Sequence, residues 1–131
     1  MGKYFGTDGI RGLANETLTA ERAFNVGRYL GYYYSQNGKQ NILIGKDTRL
    51  SSDMLENALA AGITSEGCNA YLAGYCPTPM ISYLVQNDDF ACGAMISASH
   101  NPFHDNGIKV FSKEGLKLSA DIENLIEQYI D

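Results

Sequence analysis

The sequence predicts an α/β fold in which four helices pack on one mixed, four-stranded sheet. Its 131 residues are 44% hydrophobic and 19% charged, a balance typical of a globular domain. Helical periodicities alternate with short apolar runs along the chain, which favours a layered α/β arrangement. The link before the last strand is too short for a crossover helix, so we expect that strand to be antiparallel. We expect residues 1–131 to form a single domain.

The first helix is predicted over Ala20–Asn37. Thr19 is a suitable N-cap, apolar residues recur with the i, i+3, i+4, i+7 spacing of a buried face, and Gly38 ends the helix. Two glycines on that face, Gly27 and Gly31, lower helix propensity, and we expect them to let the helix approach a sheet closely.

The next elements alternate between strand and helix. Asn41–Gly45 is an apolar run without alternation, as in a central parallel strand. Ser51 or Ser52 caps a helix that stops at Gly67, and Asn69–Gly74 is the second strand.

The second half begins with a short helix over Met80–Val85, with Thr78 as its cap and Pro79 at its first position. Strands three and four and an amphipathic helix after Ser119 complete the prediction. The two strands are expected at Phe90–Ile96 and Gly107–Ser112.

Composition excludes several classes of partner and site. The net charge of −5 argues against nucleic acid and anionic membranes, which are bound mainly by cationic surfaces. The chain has no apolar run long enough for a membrane span and no signal peptide at its N-terminus, so we expect a cytoplasmic protein. The odd cysteine count, without a C-x-x-C pair, argues against disulfides and zinc sites.

Two glycine-containing segments have the chemistry of anion-binding loops. Tyr4–Gly12 carries three glycines and Arg11, and its backbone N–H groups can form a concave anion site. Gly45–Ser52 follows a strand and opens a helix, where ligands collect in α/β folds. The alternatives are a turn in which Arg11 pairs with Asp8 and a capped, solvated βα loop.

A third segment places Ser99 and His100 on the link between the last two strands. A serine hydroxyl needs an activating partner to act as a nucleophile, and the G-x-S-x-G pattern of hydrolases is absent. Lys109 follows on the next strand, where it can orient a phosphate or transfer a proton. An ordinary turn and an exposed edge lysine are the alternatives.

Positive charge is concentrated in these segments although the chain is acidic. Four of the ten Lys and Arg residues lie in or beside them, namely Arg11, Lys46, Arg49 and Lys109. A local positive site on a negative domain indicates a small anionic ligand such as a phosphate.

Four strings together resemble the α-D-phosphohexomutase superfamily, and most closely its phosphoglucosamine branch. They are Lys3–Gly12, Gly45–Ser51, Ile96–Pro102 and Asp105–Lys109. The resemblance implies a three-layer α/β/α sandwich that is the first of four domains. It leaves two alternatives, a phosphoglucomutase/phosphomannomutase domain and a non-catalytic phosphosugar-binding module.

The resemblance also implies a reaction and roles for individual residues. Ser99 would carry a phosphoryl group and exchange it with the sugar through a bisphosphorylated intermediate, converting glucosamine 6-phosphate to glucosamine 1-phosphate for cell-wall precursors. Lys109 would transfer a proton, and Arg11 and His100 would hold phosphate. A Mg²⁺ ion would bridge the Ser99 phosphate.

The ligands that complete the magnesium site and the sugar-specificity loop belong, by this resemblance, to later domains. We therefore expect the chain alone to be inactive. Its expected partners are the phosphosugar, the remaining domains of the parent enzyme and, when isolated, further copies of itself.

Overall fold

The computed structural model describes residues 5–6, 9–36, 38, 40–97 and 105–130. These residues form four helices and six strands. In chain order the elements are β1 (Phe5–Gly6), β2 (Gly9–Leu13), α1 (Ala20–Ser35), β3 (Asn41–Lys46), α2 (Ser52–Ser65), β4 (Asn69–Tyr75), α3 (Thr78–Asn87), β5 (Cys92–Ile96), β6 (Asp105–Phe111) and α4 (Ala120–Ile130).

All the strands described belong to one mixed sheet in the order β1-β2-β6-β5-β3-β4. β5, β3 and β4 are parallel, and β6 is antiparallel to β5, which confirms the predicted direction of that strand. The predicted number of strands was wrong. β1 has only two residues, but β2 is a five-residue strand antiparallel to β6. Its glycine-rich sequence has little intrinsic strand preference, so its pairing with β6 determines its conformation.

Helices cover both faces of the sheet and divide the core in two. On one face, side chains of α1, α2 and α4 pack with alternate residues of β3, β5 and β6, such as Ile44 and Ile108. On the other face, Ile81 and Val85 of α3 pack with Leu43, Met95 and Phe111. No helix within the described residues has the length and apolar character needed to span a membrane.

Glycines bring α1 against α2 rather than against the sheet, so the predicted partner of these glycines was wrong. A Cβ atom on Gly27 would lie 2.2 Å from the Leu59 carbonyl oxygen. A Cβ on Gly62 would lie 2.2 Å from the carbonyl oxygen of Phe24. Contact between the two helix backbones requires glycine at both positions.

Several predicted boundaries shift by a few residues. α1 ends at Ser35, and the predicted end at Asn37 lies outside the described residues. α3 begins at Thr78 after an N-cap at Pro77, so Thr78 is not its cap. β6 begins at Asp105, because pairing with β2 extends the strand through residues that resemble a turn in sequence.

Candidate active site at the carboxyl edge of the sheet

The segment with the predicted nucleophile connects two described strands. Ser99 and His100, and with Ser99 the predicted magnesium contact, lie in residues 98–104, outside the described residues. Ser97 directly follows β5, and Asp105 begins β6. The Ser97 backbone N–H donates to the Gly107 carbonyl oxygen at 3.0 Å. The two ends of the segment are therefore adjacent at the carboxyl edge of β5.

Arg11 and Lys109 lie on the same face of the sheet. Arg11 is directly opposite Gly107 on β6, and paired residues of antiparallel strands share a face. Lys109 is two residues beyond Gly107, so strand alternation puts it on this face too. The Lys109 Nζ lies 5.4 Å from the centre of the Phe111 ring, which belongs to the α3 side of the core. Both cationic side chains are partly exposed.

Each of these cations has a glycine beside it on the neighbouring strand. A Cβ on Gly107 would lie 2.9 Å from the Arg11 Cγ and 2.8 Å from the Ser97 carbonyl oxygen. Gly9 has a φ of +85°, and a Cβ there would lie 2.9 Å from the Lys109 Cα. A Cβ at either position would overlap atoms that are already there, so the two glycines allow β2, β6 and the end of β5 to pack closely around Arg11 and Lys109.

Asp47, which follows β3, is the centre of a hydrogen-bond network. Its carboxylate accepts from the Arg49 Nε at 2.9 Å, the Arg49 backbone N–H at 3.0 Å and the Ser52 hydroxyl at 2.9 Å. Ser97 also hydrogen-bonds to it. Burial opposes ionisation of Asp47, but these hydrogen bonds outweigh that effect and hold its pKa below the ordinary value.

Asn106 is a second buried polar residue of the same network. Its Nδ2 donates to the Ser51 hydroxyl at 2.8 Å and to the Ser52 hydroxyl at 3.1 Å, and its Oδ1 accepts from the Gly107 backbone N–H at 2.9 Å. Asn106 is completely buried. Ser52 therefore links Asn106 of β6 to Asp47 after β3.

The network attaches both ends of segment 98–104 to the start of α2. One end is bound through Ser97 and Asp47, and the other through Asn106 and the two serines. The Arg49 Nη1 adds a bond of 3.2 Å to the Asp105 carbonyl oxygen. Sequence reasoning missed the roles of Asp47 and Asn106. A signal for Asp47 was available, because an aspartate between a strand and a capped helix commonly accepts backbone N–H groups.

The four predicted cations do not form one group. Lys46 contacts α2, donating to the Asp53 Oδ1 at 2.6 Å and to the Glu56 Oε1 at 3.0 Å. The bond to Asp53 and, to a smaller extent, the bond to Glu56 raise the Lys46 pKa, although partial desolvation acts to lower it. Its charge is already balanced by carboxylates, so we assign Lys46 no phosphate-binding role.

Arg49 stabilises the loop, in agreement with the structural alternative for Gly45–Ser52. Its guanidinium forms an ion pair with Asp47, and its side chain is only 10% exposed. Arg11 and Lys109 are the two predicted cations that share a face beside segment 98–104.

The described residues do not supply a complete set of magnesium ligands. Mg²⁺ requires about six oxygen ligands in near-octahedral geometry. No group of three or more carboxylate, imidazole or thiol side chains suited to a metal occurs within the described ranges. Asp47 adjoins the end of the segment, but its oxygens already accept hydrogen bonds from Arg49 and Ser52.

Comparison with known proteins identifies relatives along essentially the whole chain. Residues 2–131 match the family model described as phosphoglucomutase/phosphomannomutase, alpha/beta/alpha domain I. A phosphoglucosamine mutase of Lachnoclostridium phytofermentans is 59% identical over 131 residues, which cover all of this chain and 29% of that protein. One of Lachnospira eligens is 58% identical over 134 residues, covering all of this chain and 30% of its own length. The chain thus spans about 30% of these relatives.

Solved structures have the same fold. A phosphoglucomutase/phosphomannomutase family protein of Burkholderia thailandensis superimposes with a TM-score of 0.85 at 26% identity, over 98% of this chain and 30% of that one. A structure from Thermus thermophilus gives a TM-score of 0.87 at 30% identity, over 97% of this chain and 29% of that one.

Proposed function

We propose, because the chain belongs to the phosphoglucomutase/phosphomannomutase domain I family, that it is the nucleophile-carrying first domain of a phosphoglucosamine mutase. In this proposal residues 1–131 are one domain, and the longer enzyme interconverts glucosamine 6-phosphate and glucosamine 1-phosphate. Relatives with that name are 52–59% identical to the chain along essentially its whole length. The cytoplasmic location expected from the sequence stays a prediction.

The observation that carries the proposal is the common face of Arg11 and Lys109 next to the ends of segment 98–104. A phosphoserine at Ser99 would bring a charge of about −1.5 to −2 to this edge. Phosphoryl transfer depends mainly on positioning and on stabilising charge around the transferred group. Two cations beside the end of the serine-bearing segment suit that requirement.

The chemistry divides between the proposed residues. The Ser99 phosphate gives its phosphoryl group to a sugar hydroxyl, and the phosphoryl group at the other position of the resulting bisphosphate then returns to Ser99. Lys109 transfers the proton of the reacting hydroxyl. Arg11 provides fixed positive charge to phosphate oxygens, and His100 holds the serine phosphate.

The proposal assigns this chain one magnesium contact, the phosphate on Ser99. The described residues supply no ligand set for the ion, so its other ligands would come from outside the described ranges.

A chimaera tests the function directly. In it, this chain replaces the matching first part of the Lachnoclostridium phytofermentans relative, which is 59% identical to it. We expect mutase activity in the chimaera and a loss of at least about 10³-fold in kcat with Ser99→Ala, because the covalent carrier is removed. Ser65→Ala, at the far end of α2, is the matched control and should retain full activity.

Substrate comparison tests whether this first domain supports the glucosamine reaction. The chimaera is assayed with glucosamine, glucose and mannose 6-phosphates. Because the sugar-specificity loop comes from the relative, this comparison checks that domain I supports the glucosamine reaction. Retention of activity in Ser99→Ala would contradict the assignment of Ser99 as the nucleophile. A chimaera that folds and binds the phosphosugar but has no mutase activity would favour the non-catalytic module.

A further inference from the structure

Asn106 lies on the opposite face of β6 from the two cations of the candidate site. Strand alternation puts Asn106 on the face that packs against α2, together with Ile108, and puts Gly107 and Lys109 on the other face, where Arg11 also lies. The Asn106 side chain is completely buried. The sheet therefore separates Asn106 from a phosphosugar bound beside Arg11 and Lys109, so any effect of Asn106 on the reaction is indirect.

The hydrogen bonds of the Asn106 side chain have a fixed direction. The Gly107 backbone N–H can only donate, so the Asn106 atom that faces it at 2.9 Å is the acceptor Oδ1. The Nδ2 then donates to the Ser52 hydroxyl at 3.1 Å. An ionised Asp47 carboxylate can only accept, so the single hydroxyl hydrogen of Ser52 goes to Asp47, at 2.9 Å. A directed chain of hydrogen bonds thus runs from Asn106 through Ser52 to Asp47.

This directed chain joins three elements at the carboxyl edge of the sheet. Asn106 belongs to β6, Ser52 is the first residue of α2, and Asp47 directly follows β3. Asp47 also hydrogen-bonds to Ser97, the residue after β5. Lys109 lies three residues beyond Asn106 on the same strand. The position of Lys109 relative to the ends of β3 and β5 therefore depends on the bonds that Asn106 makes.

The polar residue occupies the end of β6 that adjoins segment 98–104. The next two residues on its face of the strand, Ile108 and Val110, are apolar members of the core. Burial of an amide is unfavourable unless its hydrogen bonds are made, whereas an apolar side chain needs none. Hydrogen bonds have preferred distances and angles, so they fix the strand end more narrowly than apolar packing does.

We propose that Asn106 is a positioning residue for phosphoryl transfer, because its amide fixes the start of β6, and with it Lys109, to α2 and to the ends of the neighbouring strands. The inference rests on the proposed function, in which Lys109 transfers the proton of the reacting hydroxyl. A displacement of about 1 Å caused by a change far from the chemistry can lower a rate by about 10²-fold. Loss of the Asn106 amide should therefore reduce the rate of transfer and leave phosphosugar binding largely unchanged.

The test measures kcat and KM for glucosamine 6-phosphate in the chimaera. Asn106→Ala should lower kcat by about 10- to 100-fold and change KM by less than about threefold. Asn41→Ala is the matched control, because Asn41 also begins a strand and its side chain also makes hydrogen bonds, to the Asp89 carbonyl oxygen at 3.2 Å and from the Asn69 amide at 2.9 Å. Asn41 lies at the other edge of the sheet, so its substitution should leave kcat unchanged.

Amide hydrogen exchange in the complete 131-residue chain gives a readout that does not use activity. The Ser97 backbone N–H donates to the Gly107 carbonyl oxygen where β5 and β6 meet. It should exchange at least about 10-fold faster in Asn106→Ala than in Asn41→Ala, because local opening of this junction becomes easier. Ser51→Ala removes only one acceptor of the Asn106 amide, and it replaces Asn106→Ala if that protein does not fold. Its effects on kcat and on Ser97 exchange should be smaller and in the same direction.

Three results would overturn the positioning role. They are an unchanged kcat in a folded Asn106→Ala chimaera, an equal loss of kcat in Asn41→Ala, and a raised KM at constant kcat. Each of them, combined with an inactive Ser99→Ala protein, would leave the proposed function standing. An inactive unsubstituted chimaera would instead count against the proposed function, and equal Ser97 exchange in Asn106→Ala and Asn41→Ala would then still show that Asn106 does not hold the junction.

Discussion

At the scale of single residues, Asp47 and Asn106 define the candidate site as much as the cations do. Arg11 and Lys109 lie on one face of the sheet near Ser97, whereas Asp47 and Asn106 connect Ser97 and β6 to the start of α2. The two cations and the two hydrogen-bonding residues thus have different roles in the proposed site.

Asp47→Asn should lower the free energy of unfolding by about 2 kcal/mol at pH 7, because hydrogen bonds to an ionised group contribute about 1.5–3 kcal/mol. Urea unfolding of the 131-residue chain measures the change. Asp53→Asn is the control, since Asp53 is 62% exposed and its ion pair with Lys46 should contribute at most about 1 kcal/mol. Equal effects of the two substitutions would contradict the assigned role of Asp47.

The same residue predicts a pH dependence. Because the folded-state pKa of Asp47 is below its unfolded value, its stabilising effect is complete above about pH 4 and is lost as the pH falls through the folded pKa. The unsubstituted chain should therefore lose stability more steeply below pH 4 than Asp47→Asn does. Urea midpoints at pH 3 and pH 7 measure the difference. Parallel acid dependence in the two proteins would show that Asp47 is not ionised in the folded state to the extent required.

Sequence reasoning at this scale identified the cations but not their arrangement. Lys109 was assigned to a strand correctly, whereas Arg11 was assigned to a loop because β2 was not predicted. Lys46 and Arg49 have the composition of an anion site, but their carboxylate partners at Asp53, Glu56 and Asp47 are recognisable only after folding. Charge alone does not indicate which cations are already neutralised.

At the scale of elements, the close contact of α1 and α2 fixes the position of Ser51 and Ser52 at the start of α2. The contact depends on glycine at the crossing point. Gly62 lies against the carbonyl oxygen of Phe24 and near the Arg28 backbone nitrogen.

Gly62→Ala should destabilise the chain by about 1–3 kcal/mol. Alanine improves helix propensity by about 1 kcal/mol, but its Cβ would clash with rigid backbone atoms of α1, and such overpacking costs more than the propensity gain. Thermal unfolding followed by circular dichroism measures the effect. Thr64→Ala, at an exposed position of the same helix, should change stability by less than about 0.5 kcal/mol. A stabilised Gly62→Ala protein would mean that the helices separate easily.

The elements that could be predicted have strong local patterns. Helical periodicity identified α1, α2 and α4, and unbroken apolar runs identified β3 and β5. β2 was missed because its pairing partner, β6, is about a hundred residues away in sequence, and β1 pairs only with β2. Asp105 and Asn106 are residue types that are common in turns. Pairing with the distant β2 and the buried hydrogen bonds of Asn106 nevertheless place both residues in a strand.

At the scale of the whole molecule, the mixed sheet joins the two core clusters, because its strands contribute side chains to both. Aromatic contacts also connect the last helix to the first, since the Tyr29 and Tyr129 rings are 5.7 Å apart. Disruption of the sheet should therefore release α1 and α4 together.

The complete chain should unfold in a single cooperative transition. The chain has nine tyrosines and no tryptophan, so tyrosine fluorescence reports on side-chain packing while far-UV circular dichroism reports on helices. The two urea midpoints should coincide. Tyr83→Phe, which alters an exposed tyrosine, is the control and should leave both midpoints unchanged. Separate transitions would contradict the prediction that residues 1–131 form one domain.

The central claim is that Ser99 carries the phosphoryl group. Peptide mass spectrometry of the chimaera after incubation with glucosamine 1,6-bisphosphate tests it most directly. We predict one phosphate, located on Ser99 and missing in the Ser99→Ala protein. An active chimaera with its phosphate on any other residue, or without a phosphorylated residue at all, would contradict the account.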